Sequence, residues 1–290
     1  MKENFSVIRR KVMRIVRQAS RIMYASYTME EKDSPSNIVT SADVGVQKFL
    51  EKKLCKLLPK SQLLGEEGDK HQLDSEYLWI VDPIDGTTNF ARGIGECAIS
   101  VALLHNEEIV LGVVYNPYQK KMFYAEQGKG AWCNGKKIHV SNVSFRQGIF
   151  CTAYSLYKKE FADKCEKVLS DVYAQCNDFR RFGSCALELC YLAEGKCDLY
   201  FEFRVFPWDY AAAHLILKEA GGIIYGQKNE ELRFDRATPL IAANTVENYE
   251  KLRSIIEKHI DEYAYEEIFR CAKEKVVNRK VAVKKLEKRN

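Results

Sequence analysis

The sequence predicts a mixed α/β chain in two parts that divide near residue 145. Three patterns support this. Apolar residues recur at three- and four-residue spacing before residue 60. The period drops to two between Glu96 and Val140, with a turn signal after each run. Beyond Gly148, strand-like and helix-like runs alternate.

Phe5, Ile8, Val12, Ile15, Ala19, Ile22 and Met23 fall on one face, which predicts an amphipathic helix over 4–27. Ser34-Pro35-Ser36-Asn37 breaks the pattern. A second helix is expected from Asp43 to Leu58, with Val46, Leu50, Leu54 and Leu57 inward, stopping before Pro59. Gln62 to Gly65 reads as a short strand running into Glu66-Glu67-Gly68, and Tyr77 to Val81 as a buried strand running into Asp82-Pro83. His105-Asn106, Asn116-Pro117 and Asn134-Gly135 punctuate an antiparallel meander. The second part reads as a strand at 148–154, a helix at 159–173 and a helix at 184–192 closed by Gly195. It continues with a strand at 197–203, a helix at 209–220, strands at 223–225 and 240–243, and a helix at 246–260.

A chain of 290 residues can bury a substantial core. No apolar run is long enough to span a bilayer. Residues 1–21 are interrupted by charges and lack a signal-peptide pattern, so a cytoplasmic protein with no membrane partner is expected. Ten cysteines are scattered without a C-x-x-C pair, which argues against structural zinc and for reduced thiols. The net charge of +5 is uneven: residues 270–290 hold nine Lys/Arg and two Glu, leaving the body at net −2. The organisation expected is an N-terminal half at 1–145, a C-terminal half at 146–262 and a basic tail at 263–290.

The chemistry concentrates in Asp82-Pro83-Ile84-Asp85-Gly86-Thr87-Thr88. Pro83 keeps Asp82 extended. Two carboxylates at the end of a buried strand repel one another unless a cation lies between them. Gly86 permits close approach of the backbone to a ligand, and Thr87, Thr88 and Asn89 can start a helix whose N–H groups face an anion. Metal ligands beside an anion site are what phosphate hydrolysis needs. Glu66 and Glu67, Asp209 after Pro207-Trp208, and Asp43 after Asn37 to Ala42 add acids at other strand or helix ends. Taken singly, Asp43 and Asp209 read as helix N-caps and Glu66-Glu67 as a solvated turn.

Gly65-Glu66-Glu67, Trp79 to Phe90, Gly128 to Gly135, Arg181 to Ser184, Trp208 to Ala212 and Glu219 to Gly222 together resemble the inositol monophosphatase family of lithium-sensitive phosphatases. The resemblance covers residues 4 to 260 and implies a five-layer αβαβα sandwich and a homodimer. It implies two to three Mg²⁺ per subunit and Li⁺ as an inhibitor. Glu66, Asp82 and the Ile84 carbonyl would hold the first Mg²⁺, and Asp82, Asp85 and Asp209 the second. A weaker third would touch Glu66. The phosphate would rest on Gly86 and Thr87, with Thr87 bonded to Asp43 and polarising the attacking water. Glu66 belongs to the same catalytic group. Gly183, Ser184, Cys185, Glu202 and Asp209 would line the pocket for the phosphorylated polyol. Cys185 stands where the family commonly has alanine, and Asn37 where many members have aspartate.

Thr88-Asn89-Phe90 resembles the inositol-phosphate branch, so inositol 1-phosphate is the expected substrate. Fructose 1,6-bisphosphate, histidinol phosphate and 3′-phosphoadenosine 5′-phosphate are the alternatives. A different class is an RNA-associated regulatory protein on the same fold. The basic tail, with Lys273, Lys275, Arg279, Lys280, Lys284, Lys285, Lys288 and Arg289, motivates it.

Overall fold

A computed structural model describes residues 4–34, 37–67, 75–153, 162–226, 229–234 and 236–260. The basic tail, Gly68, Tyr154 and the expected helix start at Lys159 lie outside the described residues.

Two sheets and three helical layers alternate. The first sheet has seven strands in sequence order: β3 (Gln62–Gly65), β4 (Tyr77–Asp85), β5 (Ala98–His105), β6 (Glu108–Asn116), β7 (Lys121–Glu126), β8 (Ala131–Cys133) and β9 (Lys136–Ile138). β3 and β4 are parallel and the rest antiparallel. Asn106 and Glu107, like Asn134 and Gly135, have positive φ, as tight two-residue hairpins require. The second sheet has the order β11-β10-β12-β14-β13, from β10 (Ile149–Ala153), β11 (Asp178–Arg180), β12 (Leu199–Val205), β13 (Ile223–Tyr225) and β14 (Thr238–Ala243). A hairpin of β1 (Met29–Ser34) and β2 (Asn37–Thr40) stands apart.

Strand periodicity assigns each face. Trp79, Val81, Val101 and Leu103 pack with Ile8, Val12 and Val16 of α1 (Phe5–Ala19) and Val46, Leu50 and Leu54 of α2 (Ser41–Leu57). The alternate residues Leu78, Ile80, Ala102 and Leu104 face the middle layer, which α5 (Cys185–Ala193) and α6 (Pro207–Glu219) form. Tyr200, Leu240 and Ala242 close that layer from the second sheet. Leu199, Phe201, Phe203, Ile241 and Ala243 point the other way, onto α4 (Ala162–Tyr173) and α7 (Val246–His259). The result is the αβαβα sandwich. Every residue of α5 is buried, because it is covered on both sides by sheets.

Several boundaries differ from the sequence reading. The first helix stops at Ala19 rather than residue 27: Ser20 turns its hydroxyl onto the Arg17 carbonyl and the chain tightens into a 3₁₀ turn at Ile22–Tyr24. At either end of the expected break, Ser34 and Asn37 pair with one another as the ends of β1 and β2. β11 had no sequence signal, being a three-residue edge strand. None of the nine described cysteines forms a disulfide.

Candidate active site

β4 ends in an irregularity that shapes the site. Asp82 pairs with Ser100 and Asp85 with Ala98, so three steps on β4 match two on β5. In a regular strand Asp82 and Asp85 would point to opposite faces; the extra residue brings both to one side. Pro83 is tolerated there because a bulge releases a ladder N–H. Gly86 follows with φ +88°. A Cβ on Gly86 would stand 2.9 Å from the Glu96 carbonyl oxygen and 3.1 Å from that of Gly183, so no other residue fits without displacing backbone. The short helix α3 (Thr87–Ala91) starts on it.

Each aspartate gives one oxygen to the fold. Asp82 Oδ1 accepts the Ile84 N–H at 2.9 Å. Asp85 Oδ2 accepts the Ser184 hydroxyl at 2.5 Å and the Ala186 N–H at 2.7 Å. Asp209 Oδ2 accepts the Phe206 N–H at 2.7 Å, and Asp43 Oδ2 accepts the Thr40 N–H at 2.8 Å. Asp43 and Asp209 are therefore not the helix N-caps their sequence contexts suggest. Thr40 and Phe206 take that position, and the two acids sit three residues into α2 and α6, reaching back to the cap. That reach leaves the second oxygen available. Asp43 Oδ1 accepts the Thr87 hydroxyl at 3.2 Å, and Thr87 also lies 3.0 Å from the Ile84 carbonyl.

Glu66 leaves β3 beside Asp82, its N–H donating to the Val81 carbonyl at 3.3 Å. Its carboxylate meets Lys32 of β1 at 2.9 Å, and the same ammonium contacts Glu67. No sequence signal marked Lys32. Burial, followed by the charges of Glu66, Asp85 and Asp209, raises the Asp82 carboxyl well above the usual range. Asp209 is raised by burial and then by Asp85. Burial lifts Asp85 to about 7 against its hydrogen bonds from Ser184 and Ala186, and Asp43 to about 6 against those from Thr40.

Among the described residues no three His, Cys, Asp or Glu side chains stand close enough to grip an ion without moving. The donor set nonetheless fits a hard divalent cation in its chemistry. Glu66 at the end of β3, Asp82 and Asp85 on β4 and Asp209 on α6 are oxygen ligands drawn from three elements, and their mutual repulsion is what a cation relieves.

The residues expected around the leaving alcohol come from α5 and β12. Ser184 caps α5 and turns its hydroxyl onto Asp85; Cys185 follows as a buried thiol. Glu202 accepts the Tyr200 hydroxyl at 2.6 Å and is raised by burial to about 7. Glu188, missed from sequence, anchors this loop. Its Oε1 accepts the N–H groups of Phe182 and Gly183 at 2.6 and 2.9 Å, and Asn89 Nδ2 donates to the Phe182 carbonyl at 2.6 Å. The available signal was a lone acid inside the apolar run Cys185 to Ala193.

Residues 2–261 match the model of the inositol monophosphatase family. The chain belongs to this family. A Vibrio cholerae relative, Nus factor SuhB, is 37% identical over 65% of this chain and 72% of its own length. The solved suhB protein of Bartonella henselae is 31% identical and superposes with a TM-score of 0.80 over 88% of this chain and all of that one. A Thermotoga maritima IMPase, 30% identical, gives 0.78 over 87% of this chain and 97% of its own. More distant structures share the fold. One is an IMPase/NADP phosphatase complexed with Mg²⁺ and phosphate, 23% identical, with a TM-score of 0.75 over 87% of this chain and 93% of its own. Another is a staphylococcal inositol monophosphatase in a LiCl-soaked inhibitory complex, 24% identical, with 0.79 over 89% and 97%. Among the described residues no helix is long and apolar enough to cross a membrane.

Proposed function

We propose that this chain is a Mg²⁺-dependent phosphatase of small phosphate monoesters, with inositol 1-phosphate as its preferred substrate. The observation that carries this reading is the group of buried, mutually repelling carboxylates at the β4 bulge, next to a Thr87 hydroxyl held on Asp43. Membership of the family and the Mg²⁺, phosphate and Li⁺ complexes of its structural neighbours support it.

Glu66, Asp82 and the Ile84 carbonyl would hold one Mg²⁺, and Asp82, Asp85 and Asp209 a second; a weaker third would touch Glu66. When bound, the metal neutralises phosphate charge and supplies Lewis acidity to the reacting water and the departing alkoxide. The chain does the rest. Gly86 lets the backbone come up to the phosphate. Thr87 directs its proton toward Asp43 Oδ1 and the Ile84 carbonyl, which leaves an oxygen lone pair to accept and aim a water proton. Asp43, ionising near 6, can take up a proton at neutral pH. Glu202 and the Gly183–Cys185 turn meet the polyol, with Glu202 accepting from its hydroxyls.

The test is initial rates of phosphate release by the purified protein with Mg²⁺ on the four candidate substrates. Highest kcat/KM on fructose 1,6-bisphosphate, histidinol phosphate or 3′-phosphoadenosine 5′-phosphate overturns the substrate, and no release from any overturns the phosphatase reading. Inhibition by millimolar Li⁺ is expected.

A second reading, an RNA-associated role, is favoured by the naming of relatives as Nus factor SuhB and by the basic run of the tail. Salt-dependent RNA binding that vanishes on deleting 263–290 would support it.

A further inference from the structure

The two outer helical layers of the sandwich differ in charge. α4 and α7 carry both signs: Asp163, Glu166, Asp171, Glu247, Glu250 and Glu257 alternate with Lys164, Lys167, Lys251, Arg253 and Lys258. The α1/α2 layer does not. No Asp or Glu occurs between Asn4 and Met29, and Arg10, Lys11, Arg14, Arg17 and Arg21 are exposed. On α2 and its exit Lys48, Lys52, Lys53, Lys56 and Lys60 are exposed, against one exposed acid, Glu51. Ten cations thus share one face with a single carboxylate, on a body of net −2.

The cations are aligned. Arg10, Arg14 and Arg17 follow the four-three spacing of one stripe on α1, with Arg21 just past its end, and Lys48, Lys52 and Lys56 repeat every four residues on α2, with Lys60 just past its end. Successive charges therefore rise about 4.5–6 Å along each helix axis, so each stripe spans roughly 10–12 Å within its helix and gains one more cation just past the helix end. Among the described residues Arg9 is the one α1 cation that meets an acid, Glu126 at 3.9 Å, and it lies over Tyr124. The stripe arginines have no such neighbour among the described residues.

We propose that this α1/α2 face binds the phosphodiester backbone of a nucleic acid without reading its bases. A straight, repeating array of guanidinium and ammonium groups matches a straight, repeating array of phosphates. An anionic membrane fits less well. The apolar faces of both helices, Ile8, Val12 and Val16 with Val46, Leu50 and Leu54, are already buried against the seven-stranded sheet. None of the large exposed hydrophobic residues lies on α1 or α2, so the layer has nothing to insert. No aromatic ring on α1 or α2 is exposed, the nearest being Tyr24 just past Arg21, and cations that meet phosphates make the contact sequence-independent. The inference is separate from the phosphatase reading and uses a different surface from the tail.

The test is fluorescence anisotropy of the full-length protein with a labelled single-stranded RNA and a duplex of equal length, across a salt series. One variant combines Arg10→Gln, Arg14→Gln, Arg17→Gln and Arg21→Gln. A second combines Lys48→Gln, Lys52→Gln and Lys56→Gln. A control on the opposite layer combines Lys167→Gln, Lys251→Gln and Lys258→Gln. Each face variant is expected to bind at least about tenfold more weakly, with a log K against log[salt] slope shallower by about 2–4, while the control stays within about twofold. An unchanged melting temperature shows that a variant is folded, and either face variant suffices. Wild-type affinity in the face variants overturns the proposal, as does binding lost only on deleting 263–290. Charge-dependent binding to phosphatidylserine vesicles without nucleic-acid binding overturns it in favour of a membrane.

Discussion

Asp82→Asn should abolish phosphate release and yet stabilise the metal-free protein. Asp82 is buried and faces Glu66, Asp85 and Asp209, each of which raises its carboxyl. Its raised folded pKa means that the native state holds protons the unfolded chain has released. Stability of the metal-free protein therefore falls as pH rises from about 4 through the folded values, which reach about 6 at Asp43 and about 7 at Asp85. For Asp85, the rise from 3.8 to about 7 sets the scale. At about 1.4 kcal/mol per pH unit it corresponds to a ceiling near 4 kcal/mol. Local relaxation and water entry reduce this, so neutralising one member of the group should return about 1–3 kcal/mol at pH 8. Asparagine keeps an acceptor for the Ile84 N–H, so that hydrogen bond survives. The assay is thermal unfolding in EDTA at pH 8 and pH 5, then with Mg²⁺. The variant should melt higher than wild type by about 3–10 °C in EDTA at pH 8. The gap should narrow at pH 5, and Mg²⁺ should raise wild type more. A variant that melts below wild type in EDTA at pH 8, with no dependence on pH, would refute the electrostatic argument.

Thr87→Ala should lower kcat by about 10²-fold or more, with Thr87→Ser recovering most of it in a steady-state assay. The kcat/KM profile should lose activity below about pH 6 as Asp43 protonates, and Asp43→Asn should remove that limb along with most of the rate. Gly112→Ala places a methyl 2.4 Å from the Ala212 carbonyl oxygen, so α6 must move off the sheet. A loss of about 1–3 kcal/mol in denaturant unfolding is expected. Glu188→Ala leaves two half-buried N–H groups of the Phe182–Gly183 turn without their acceptor and should lower stability by about 1–3 kcal/mol, whereas Glu188→Gln keeps the acceptor and much of the stability.

The helical layers and both sheets were legible because they rest on periodicity. The alternation of Leu78 and Ile80 with Trp79 and Val81 appears in the sequence as a continuous apolar run, and two different layers cover its two faces. The acidic residues were legible as types at strand and helix ends, and so was the Thr87–Asp43 pairing through the family resemblance. Their geometry was not. Local context alone reads Asp43 and Asp209 as caps, whereas both stand at N3, from which Asp43 Oδ1 meets Thr87. Lys32 and Glu188 reach the candidate site from segments with no local mark, because each gains its role from a partner outside its own element.

Sequence alone determined most of the elements, β11 and the β1–β2 hairpin excepted, and which acids stand at their ends, since propensity, period and capping are local. Only the tertiary structure decided that the β4 bulge turns Asp82 and Asp85 to one side, that Ser184 of α5 secures Asp85, and that the cations of α1 and α2 share one face. Those outcomes depend on which surfaces the sheets bury. Burial is settled by the packing of the whole chain, and no single segment encodes it.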